Sequence, residues 1–363
     1  MAKIDPWGNV EVKDYSHLFQ EFGLKPFSSG AGLDHYLFER EIIIAHRDFD
    51  KVLDRIKHKK PFVNMTGIAS SGGIHFGHKV DVDLFRYFKK KGGRNYFAVC
   101  DLDGYVSRSD DKVSSLEKAK EFAVNNLSHA LALGLDEEDC YVQSRKSPHP
   151  ERYYSFCFEL SKKITMNAFE AIYGHLDMGK IAANFLQYGD ILHPQLPEFE
   201  GKMPSVTGIG LDQDPHARAV RDIAKRLPYN FEIPGFLYFK HQGGLKEGAK
   251  MSSSDPDTAI FLDDSPSVAR KKIERAFSGG RPTAEEQRRL GGNPDICKVC
   301  EMLRFHYPDT KKFNKIIEDY RAGKILDKEN KQFAADFVCD FLEEHQSKLD
   351  QTKKTAKKMV FGK

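Results

Sequence analysis

Two histidines three residues apart, His75 and His78, have the clearest potential for chemistry in this sequence, and Gly72, Gly73 and Gly77 lie around them. Residues three apart share one face of a helix, so both imidazoles point the same way if a helix begins here. Such a pair can donate to the oxygens of a triphosphate while negative charge grows on the departing pyrophosphate. Glycines let a nucleotide approach the backbone because they have no Cβ atom. The stretch therefore predicts a phosphate site, with capping histidines in a surface turn as the alternative.

A lysine followed by a run of serines is the second candidate. The run comprises Lys250, Met251, Ser252, Ser253 and Ser254, and it follows a loop that contains several glycines. A loop with one ammonium group and several hydroxyls can close over phosphates once they are bound. Taken alone, the same run is more typical of a polar linker between domains. The run indicates a phosphate-binding loop because it occurs together with the histidine pair.

Two well-known nucleotide-binding patterns are absent from the sequence. The P-loop pattern requires a lysine directly after its second glycine, but Ala249 separates Gly248 from Lys250. The run from Gly208 to Gln213 begins like a dinucleotide fingerprint but lacks the third glycine, which disfavours a nicotinamide enzyme. Its last two residues, an aspartate and a glutamine, instead resemble polar groups aimed into a crevice at the end of a strand.

The elements that must position these residues alternate between short apolar runs and longer amphipathic ones. Strands are predicted at 61–66, 95–100, 140–144, 204–210 and 234–240, with helices between them. Strand, helix, strand in repetition is typical of a doubly wound, Rossmann-like parallel sheet of the α/β class. In such a sheet, ligands bind at the carboxyl ends of the strands, where the next helix begins. The histidine pair occupies such a position after the first strand.

Two further regions flank this sheet. The pattern from Arg40 to Lys60 has apolar residues at roughly helical spacing and is interpreted as part of an N-terminal extension over 1–59. The Rossmann-like domain is placed at 60–262. Beyond it, 263–363 is almost entirely helical in periodicity and predicts an α-helical bundle. The aromatic residues Tyr153, Tyr154, Phe156 and Phe158 are interpreted as helix core rather than a surface for stacking bases.

Composition excludes several classes of protein. The chain has 363 residues, 40% of them hydrophobic, and a formal net charge of only +3, so it is neither disordered throughout nor a polycation that coats DNA. No apolar run approaches the roughly 18 residues that a membrane span needs, and no export leader is recognisable. Six scattered cysteines favour a reducing cytoplasm. Cys297 and Cys300 form one CxxC pair without a second, which predicts core or surface cysteines rather than a metal site.

Taken together, the motifs resemble a class I aminoacyl-tRNA synthetase, and most of all the tryptophanyl-tRNA synthetases of the eukaryotic and archaeal type. The resemblance covers nearly the whole chain. It is carried by HFGH after the first strand, IDPW at 4–7, IIIAHRDFDKVLD, DQDPHARAVRDIAKR, KMSSSDPDTAIFLDD and AFSGG followed by EEQRRLGGN. Their order and spacing together are hard to obtain by chance.

The resemblance implies an ATP-dependent ligation of tryptophan to tRNA(Trp) through a tryptophanyl-adenylate. Gly72, Gly73 and Gly77 would bind ATP, while His75 and His78 would stabilise the pentavalent phosphorus. Lys250, with Met251 and the serines 252–254, would hold the β- and γ-phosphates, and Mg²⁺ would offset the remaining charge. The helical region 263–363 would bind the anticodon, and the protein would be a homodimer without DNA or membrane partners.

The amino-acid pocket departs from the family pattern. Met65 stands where such enzymes have an aromatic residue, and Ala98 and Asp103 align with the usual glutamine and glutamate. Gln187, Asp190 and Gln213 match polar pocket positions of the family or of the tyrosyl enzymes, so Met65, Asp103, Gln187, Asp190 and Gln213 are the predicted amino-acid-binding residues. Three alternatives stay open: a tyrosyl-tRNA synthetase, a nucleotidyltransferase acting on a small phosphorylated substrate, and a synthetase-like RNA-binding or regulatory protein without ligase activity.

Overall fold

A computed structural model describes residues 19, 22–27, 32–175, 177–248, 251 and 255–362. Within that part of the chain, seven strands form one sheet with the order β1-β2-β7-β6-β3-β4-β5. The strands are β1 (Lys25–Pro26), β2 (Ile43–Arg47), β3 (Phe62–Ala69), β4 (Gly93–Cys100), β5 (Cys140–Val142), β6 (Ser205–Gly210) and β7 (Gly235–Phe239). Strands β3 to β7 run parallel to their neighbours among themselves, whereas β1 and β2 are antiparallel. The α/β class and the five predicted strands are confirmed.

Helices cover both faces of the sheet and form the C-terminal region. The helices of the first part are α1 (Tyr36–Glu39), α2 (Asp50–Lys57), α3 (Phe76–Lys90), α4 (Asp101–Val106), α5 (Leu116–Ala132), α6 (Pro150–Ser161), α7 (Met166–Tyr173), α8 (Met178–Leu192) and α9 (Asp214–Arg226). Those of the C-terminal region are α10 (Pro266–Arg275), α11 (Ala284–Leu290), α12 (Lys298–His306), α13 (Thr310–Arg321), α14 (Asp327–Gln346) and α15 (Leu349–Phe361). The predicted helical character of 263–363 is confirmed.

The helical interpretation of residues 40 to 60 is partly wrong. Residues Ile43–Arg47 form β2, which pairs with β7 in the main sheet, and only Asp50–Lys57 is helical. Four consecutive apolar residues, Ile42 to Ala45, are all buried, as in a strand that is covered on both faces. The near-helical spacing between these four residues and the apolar residues that follow them therefore did not indicate one continuous helix. Residues assigned to the N-terminal extension therefore complete the sheet, and the domain limits stay a prediction.

The sheet and the C-terminal helices share one hydrophobic core. Val124 and Leu127 of α5 belong to the same buried cluster as Ala356 and Val360 of α15. A polar contact crosses the same boundary, because the buried His129 lies 2.8 Å from His345 Nε2 and 3.0 Å from Asp263 Oδ1. The C-terminal helices are thereby held in a fixed position relative to the sheet. Among the residues described, no helix is both long and apolar enough to span a membrane.

Two smaller predictions concern cysteines and aromatic residues. Cys297 and Cys300 are buried at the start of α12, where the Cys300 N–H donates to Cys297 Sγ at 3.4 Å. Of the aromatic residues on α6, Tyr153 and Phe156 are buried and Tyr154 is half-buried. Phe158 is 78% exposed, so its assignment to the core is wrong. It lies two residues after Phe156, and such neighbours face different sides of a helix.

Candidate active site

The histidine pair lies where β3 passes through a short loop into α3. His75 is the residue that caps this helix: its Nδ1 accepts the Gly77 N–H at 3.1 Å, and His78 Nδ1 in turn accepts the His75 N–H at 3.2 Å. The two ring centroids are 3.9 Å apart. His75 therefore caps the helix, and its ring also lies beside the ring of His78.

This arrangement fixes the protonation of both rings. Burial lowers the pKa of His78 to about 4 and that of His75 well below its ordinary value, so both imidazoles are neutral near pH 7. Because each Nδ1 accepts a backbone N–H, the single ring proton must reside on Nε2. Each histidine therefore has an Nε2–H group to donate, and neither is a general acid at neutral pH.

Glycine is favoured at each of these loop positions for a different structural reason. A Cβ atom on Gly77 would lie 2.9 Å from the His75 ring and 3.6 Å from Met251 Sδ, so Gly77 makes room for the capping imidazole. A Cβ on Gly73 would lie 3.3 Å from Phe261. Among the residues described, the Gly72 and Gly73 N–H groups have no hydrogen-bond acceptor in the protein. They are free to donate to a ligand, which the Gly77 N–H is not.

The segment that flanks the lysine-serine run is bound to the histidine loop. The Phe76 N–H donates to Ile260 O at 3.0 Å, and the Leu262 N–H donates to Ile74 O at 2.9 Å. Met251 lines the same cavity as the histidines. Lys250, Ser252, Ser253 and Ser254 lie outside the described residues, so their position at the phosphates stays a prediction. The IDPW segment at 4–7 also lies outside them.

A cavity of about 530 Å³ opens at the carboxyl ends of β3, β4 and β6. Every predicted site residue that the structure describes lines it: Met65, Gly72, Gly73, His75, Gly77, His78, Asp103, Gln187, Asp190, Gln213 and Met251. Ala98 does not; it is fully buried in a cluster with Met65 and Cys100. The resemblance placed Ala98 near the substrate, whereas Cys100, two residues later on the same strand, is the one that reaches the cavity.

Asp190 is a carboxylate of this cavity that accepts three hydrogen bonds from side chains. Its Oδ1 accepts the hydroxyls of Tyr141 and Tyr153, both at 2.6 Å, and its Oδ2 accepts Gln143 Nε2 at 2.7 Å. The Cys100 thiol lies 3.9 Å from Oδ2. Burial raises the pKa of Asp190 to about 6, although the three donors oppose this rise. Asp190 therefore loses its proton close to neutral pH.

Asp103 is connected to the same network. Its backbone N–H donates to Gln143 Oε1 at 2.9 Å, so one glutamine links Asp103 to Asp190. The Asp103 carboxylate accepts the Ser107 hydroxyl at 3.0 Å, and burial raises its pKa to about 6. Two carboxylates that titrate near neutrality thus border one end of the cavity.

Several cavity residues escaped the sequence analysis. Asp81 lies three residues after His78 on α3, and burial together with the Asp212 charge raises its pKa to about 8. Its i+3 spacing from His78 was the signal that could have found it. Arg108 lines the cavity and donates through Nε to Ser71 Oγ at 3.3 Å. It follows α4, which was not predicted, and no pattern in the sequence identifies it.

Comparison with known proteins extends these observations. A family model described as tRNA synthetases class I (W and Y) matches residues 57–343. The curated tryptophan-tRNA ligase of Aeropyrum pernix is 42% identical over 370 residues, which cover 99% of this chain and 98% of that protein. The tryptophan-tRNA ligase of Methanocaldococcus jannaschii is 37% identical, with 100% and 99% covered.

Solved structures of tryptophanyl-tRNA synthetases also resemble this chain in fold. The crystal structure of tryptophanyl-tRNA synthetase from Aeropyrum pernix matches with a TM-score of 0.87 and 42% identity over 98% of each chain. That of tryptophanyl-tRNA synthetase from Encephalitozoon cuniculi, bound to tryptophan, matches with a TM-score of 0.82 and 26% identity, over 95% of this chain and 98% of the other. The similarity in sequence and in fold thus extends over nearly the whole chain.

Proposed function

The chain belongs to the class I tRNA synthetases for tryptophan and tyrosine, and from that premise we propose that it ligates tryptophan to tRNA(Trp) in an ATP-dependent reaction through a tryptophanyl-adenylate. The curated relatives that cover the whole chain are named for tryptophan, so neither the tyrosyl nor the regulatory alternative is favoured. The main support for a single active site is that two imidazole donors and the Asp190 carboxylate line the same cavity.

In the first step, a carboxylate oxygen of tryptophan attacks the α-phosphorus of ATP, and the bond to the pyrophosphate oxygen breaks. The nucleophile is already ionised, so positioning and charge stabilisation supply the catalysis rather than proton transfer. The Nε2–H groups of His75 and His78 donate to phosphate oxygens as charge accumulates on them. The N–H groups of Gly72 and Gly73 are additional donors, and Lys250 holds the leaving pyrophosphate.

We place the indole ring of tryptophan against Asp190. An ionised carboxylate has about four acceptor positions, and both of those on Oδ1 are taken by Tyr141 and Tyr153. Among the described residues, Oδ2 accepts Gln143 and, at its other position, no donor except the weak Cys100 thiol, which a stronger donor would displace. The indole N–H, the one polar atom of the tryptophan side chain, therefore donates to Oδ2. Met65 provides an apolar wall, and Asp103, Gln187 and Gln213 bind the α-ammonium group.

Magnesium has no protein-built site in the part of the chain that the structure describes, because no three His, Cys, Asp or Glu side chains come together there. We therefore place Mg²⁺ on the ATP phosphates as part of the substrate, where it offsets their negative charge. No step of the reaction is assigned to it.

In the second step, a hydroxyl of the terminal tRNA ribose attacks the acyl carbon of the adenylate, and AMP leaves. We propose that the helices of 263–363 bind the anticodon, while the 60–262 unit carries both chemical steps. A homodimer is supported by large apolar side chains that are exposed on α6, α7 and α8, namely Phe158, Met166 and Met178. Six cysteines without disulfides fit a reducing cytoplasm.

Pyrophosphate exchange into ATP tests the function directly. We expect exchange with tryptophan, and none with tyrosine or without amino acid, followed by transfer of labelled tryptophan to tRNA(Trp). Exchange with tyrosine alone would assign the chain to tyrosine. No exchange with either amino acid would overturn the ligase.

A further inference from the structure

Lys146 is a buried lysine behind the amino-acid end of the cavity. It follows the helical turn Gln143–Arg145 after β5, and its residue is only 4% exposed. Its Nζ lies 4.0 Å from the ring centroid of Tyr141, 5.1 Å from that of Phe199 and 5.3 Å from that of Tyr96. Lysine is rarely buried without a compensating partner. Three aromatic faces around one ammonium group provide that compensation through cation–π attraction.

One of these rings connects Lys146 to Asp190. The Tyr141 hydroxyl donates to Asp190 Oδ1 at 2.6 Å, while the face of the same ring holds the Lys146 ammonium group. The positive charge therefore lies against the face of the ring whose hydroxyl orients the carboxylate. A cation so placed favours the ionised form of the carboxylate and opposes its protonation.

Resting on the function proposed above, we propose that Lys146 is a positioning residue for tryptophan: held against Tyr141, its ammonium group keeps Asp190 ionised, so that Oδ2 can accept the indole N–H. Lys146 itself does not line the cavity and has no contact with the substrate. Its influence passes through the Tyr141 ring and through the electric field. It thereby compensates for the burial that makes Asp190 difficult to ionise.

The neighbouring groups leave few other charges that could have this effect. The titratable or charged groups that face Asp190 and Lys146 are Tyr96, Cys100, Asp101, Asp103, Tyr141, Tyr153, Tyr154, Cys157, His193 and Glu200. Burial raises the pKa values of the thiols and phenols and lowers that of His193, so these groups are uncharged near pH 7. The remaining carboxylates add negative charge. Among the described residues, Arg94 acts on Tyr96 and Glu200, and Arg108 acts on Asp103, whereas Lys146 is the cation that acts on Asp190 itself.

The pH range of the effect follows from two opposite shifts. Burial raises the pKa of Asp190 to about 6 and lowers that of Lys146 to about 8, so both groups are charged between these values. Tryptophan binding needs the carboxylate and weakens as pH falls through 6. Loss of the Lys146 proton above pH 8 has little consequence, because Asp190 is fully ionised there. Only the acidic limb of the profile should depend on Lys146.

The test measures kcat/KM for tryptophan by pyrophosphate exchange between pH 5.5 and 8.5. We expect Lys146→Met to move the acidic limb upward by about one pH unit, which is a loss of roughly fivefold at pH 6, close to tenfold at lower pH, and little change at pH 8. Lys146→Arg retains a positive charge and should restore a limb close to that of the wild type. KM for ATP should not change in either variant. Lys162→Met, at an exposed lysine, is the matched control and should leave the whole profile unchanged.

Two outcomes would overturn the inference. If Lys146→Met lowers kcat/KM equally at all pH values, the residue is merely structural. If the limb of a folded Lys146→Met enzyme coincides with that of the wild type, Lys146 has no influence on Asp190. Lys146→Gln replaces Lys146→Met if the latter does not fold. In both outcomes the wild type still exchanges with tryptophan, whereas failure of the proposed function would abolish exchange in the wild type itself.

Discussion

His78 performs two tasks with its two nitrogen atoms, and substitution by the two amide residues separates them. Nδ1 accepts the His75 N–H at 3.2 Å and so contributes to the start of α3, while Nε2–H is free to donate to a phosphate. Asparagine can place an amide oxygen near the Nδ1 position, and glutamine can place an amide nitrogen near the Nε2 position. His78→Asn therefore retains the capping contact and loses the phosphate donor. His78→Gln does the reverse.

The expected magnitudes differ between the two tasks. Loss of one preorganised donor to a developing oxyanion costs about 2.7–4 kcal/mol of transition-state stabilisation, or roughly 10²- to 10³-fold in rate. Loss of a capping contact costs about 1 kcal/mol of stability, or a few degrees in Tm. We expect His78→Asn to lower kcat of pyrophosphate exchange at least 10²-fold with little change in Tm or in KM for ATP. His78→Gln should lose a few degrees in Tm and retain much more activity.

Exchange kinetics at saturating tryptophan and thermal unfolding of the same preparations measure both effects. The neutral state of His78 means that the loss in His78→Asn should be the same at pH 7 and pH 8. If His78→Asn is as active as the wild type and His78→Gln is inactive, the imidazole acts only as a helix cap. The assignment of a phosphate donor would then be refuted.

Three further predictions concern the same cavity. In Gly77→Ala, the new Cβ would lie 2.9 Å from the His75 ring, so we expect exchange to fall about tenfold or more while Tm, measured by calorimetry, stays within a few degrees. In Asp190→Asn, an amide must face three donors, so KM for tryptophan should rise at least tenfold and stability fall by about 1–3 kcal/mol. Burial and Asp212 raise the pKa of Asp81, so its ionisation destabilises the fold as pH rises toward 8, and Asp81→Asn should raise Tm more at pH 8 than at pH 5.

Each of these has a result that contradicts it. An unchanged exchange rate in Gly77→Ala would mean that the His75 ring can move without consequence. Wild-type KM for tryptophan in Asp190→Asn would remove the indole from this carboxylate. A Tm gain in Asp81→Asn that is equal at both pH values would show that Asp81 is not forced to ionise inside the cavity.

The sequence was informative where chemistry and spacing coincide. His75 and His78 were identified because a strand precedes them and a helix follows, and that local order alone determines that their rings lie together. The sequence could not predict the tautomer of each ring, because the tautomer depends on the Nδ1 contacts with the His75 and Gly77 N–H groups. The sequence offers capping and phosphate binding as alternatives, whereas the two nitrogens of one imidazole ring allow both.

Features that depend on contacts between residues far apart in the sequence could not be predicted. Residues Ile43–Arg47 form a strand because β7, nearly 200 residues later, provides the edge with which they pair. A local pattern of apolar residues contains no record of that edge. The partners of Asp190 show the same limit, since Tyr141 and Tyr153 come from β5 and α6. The helix spacing of Gln187 and Asp190 predicted that both share one face, but the hydroxyls that occupy Oδ1 required the folded chain.

A crystal structure of the enzyme with a non-hydrolysable tryptophanyl-adenylate analogue tests most directly whether the histidine pair and Asp190 form one active site. We expect the phosphate replacement to lie within hydrogen-bond distance of Nε2 of His75 and His78. We also expect Lys250 to point to the pyrophosphate side and the indole nitrogen to lie about 3 Å from Asp190 Oδ2. An analogue bound with its phosphate group away from the two imidazoles, or with its indole nitrogen away from Asp190, would contradict this active site.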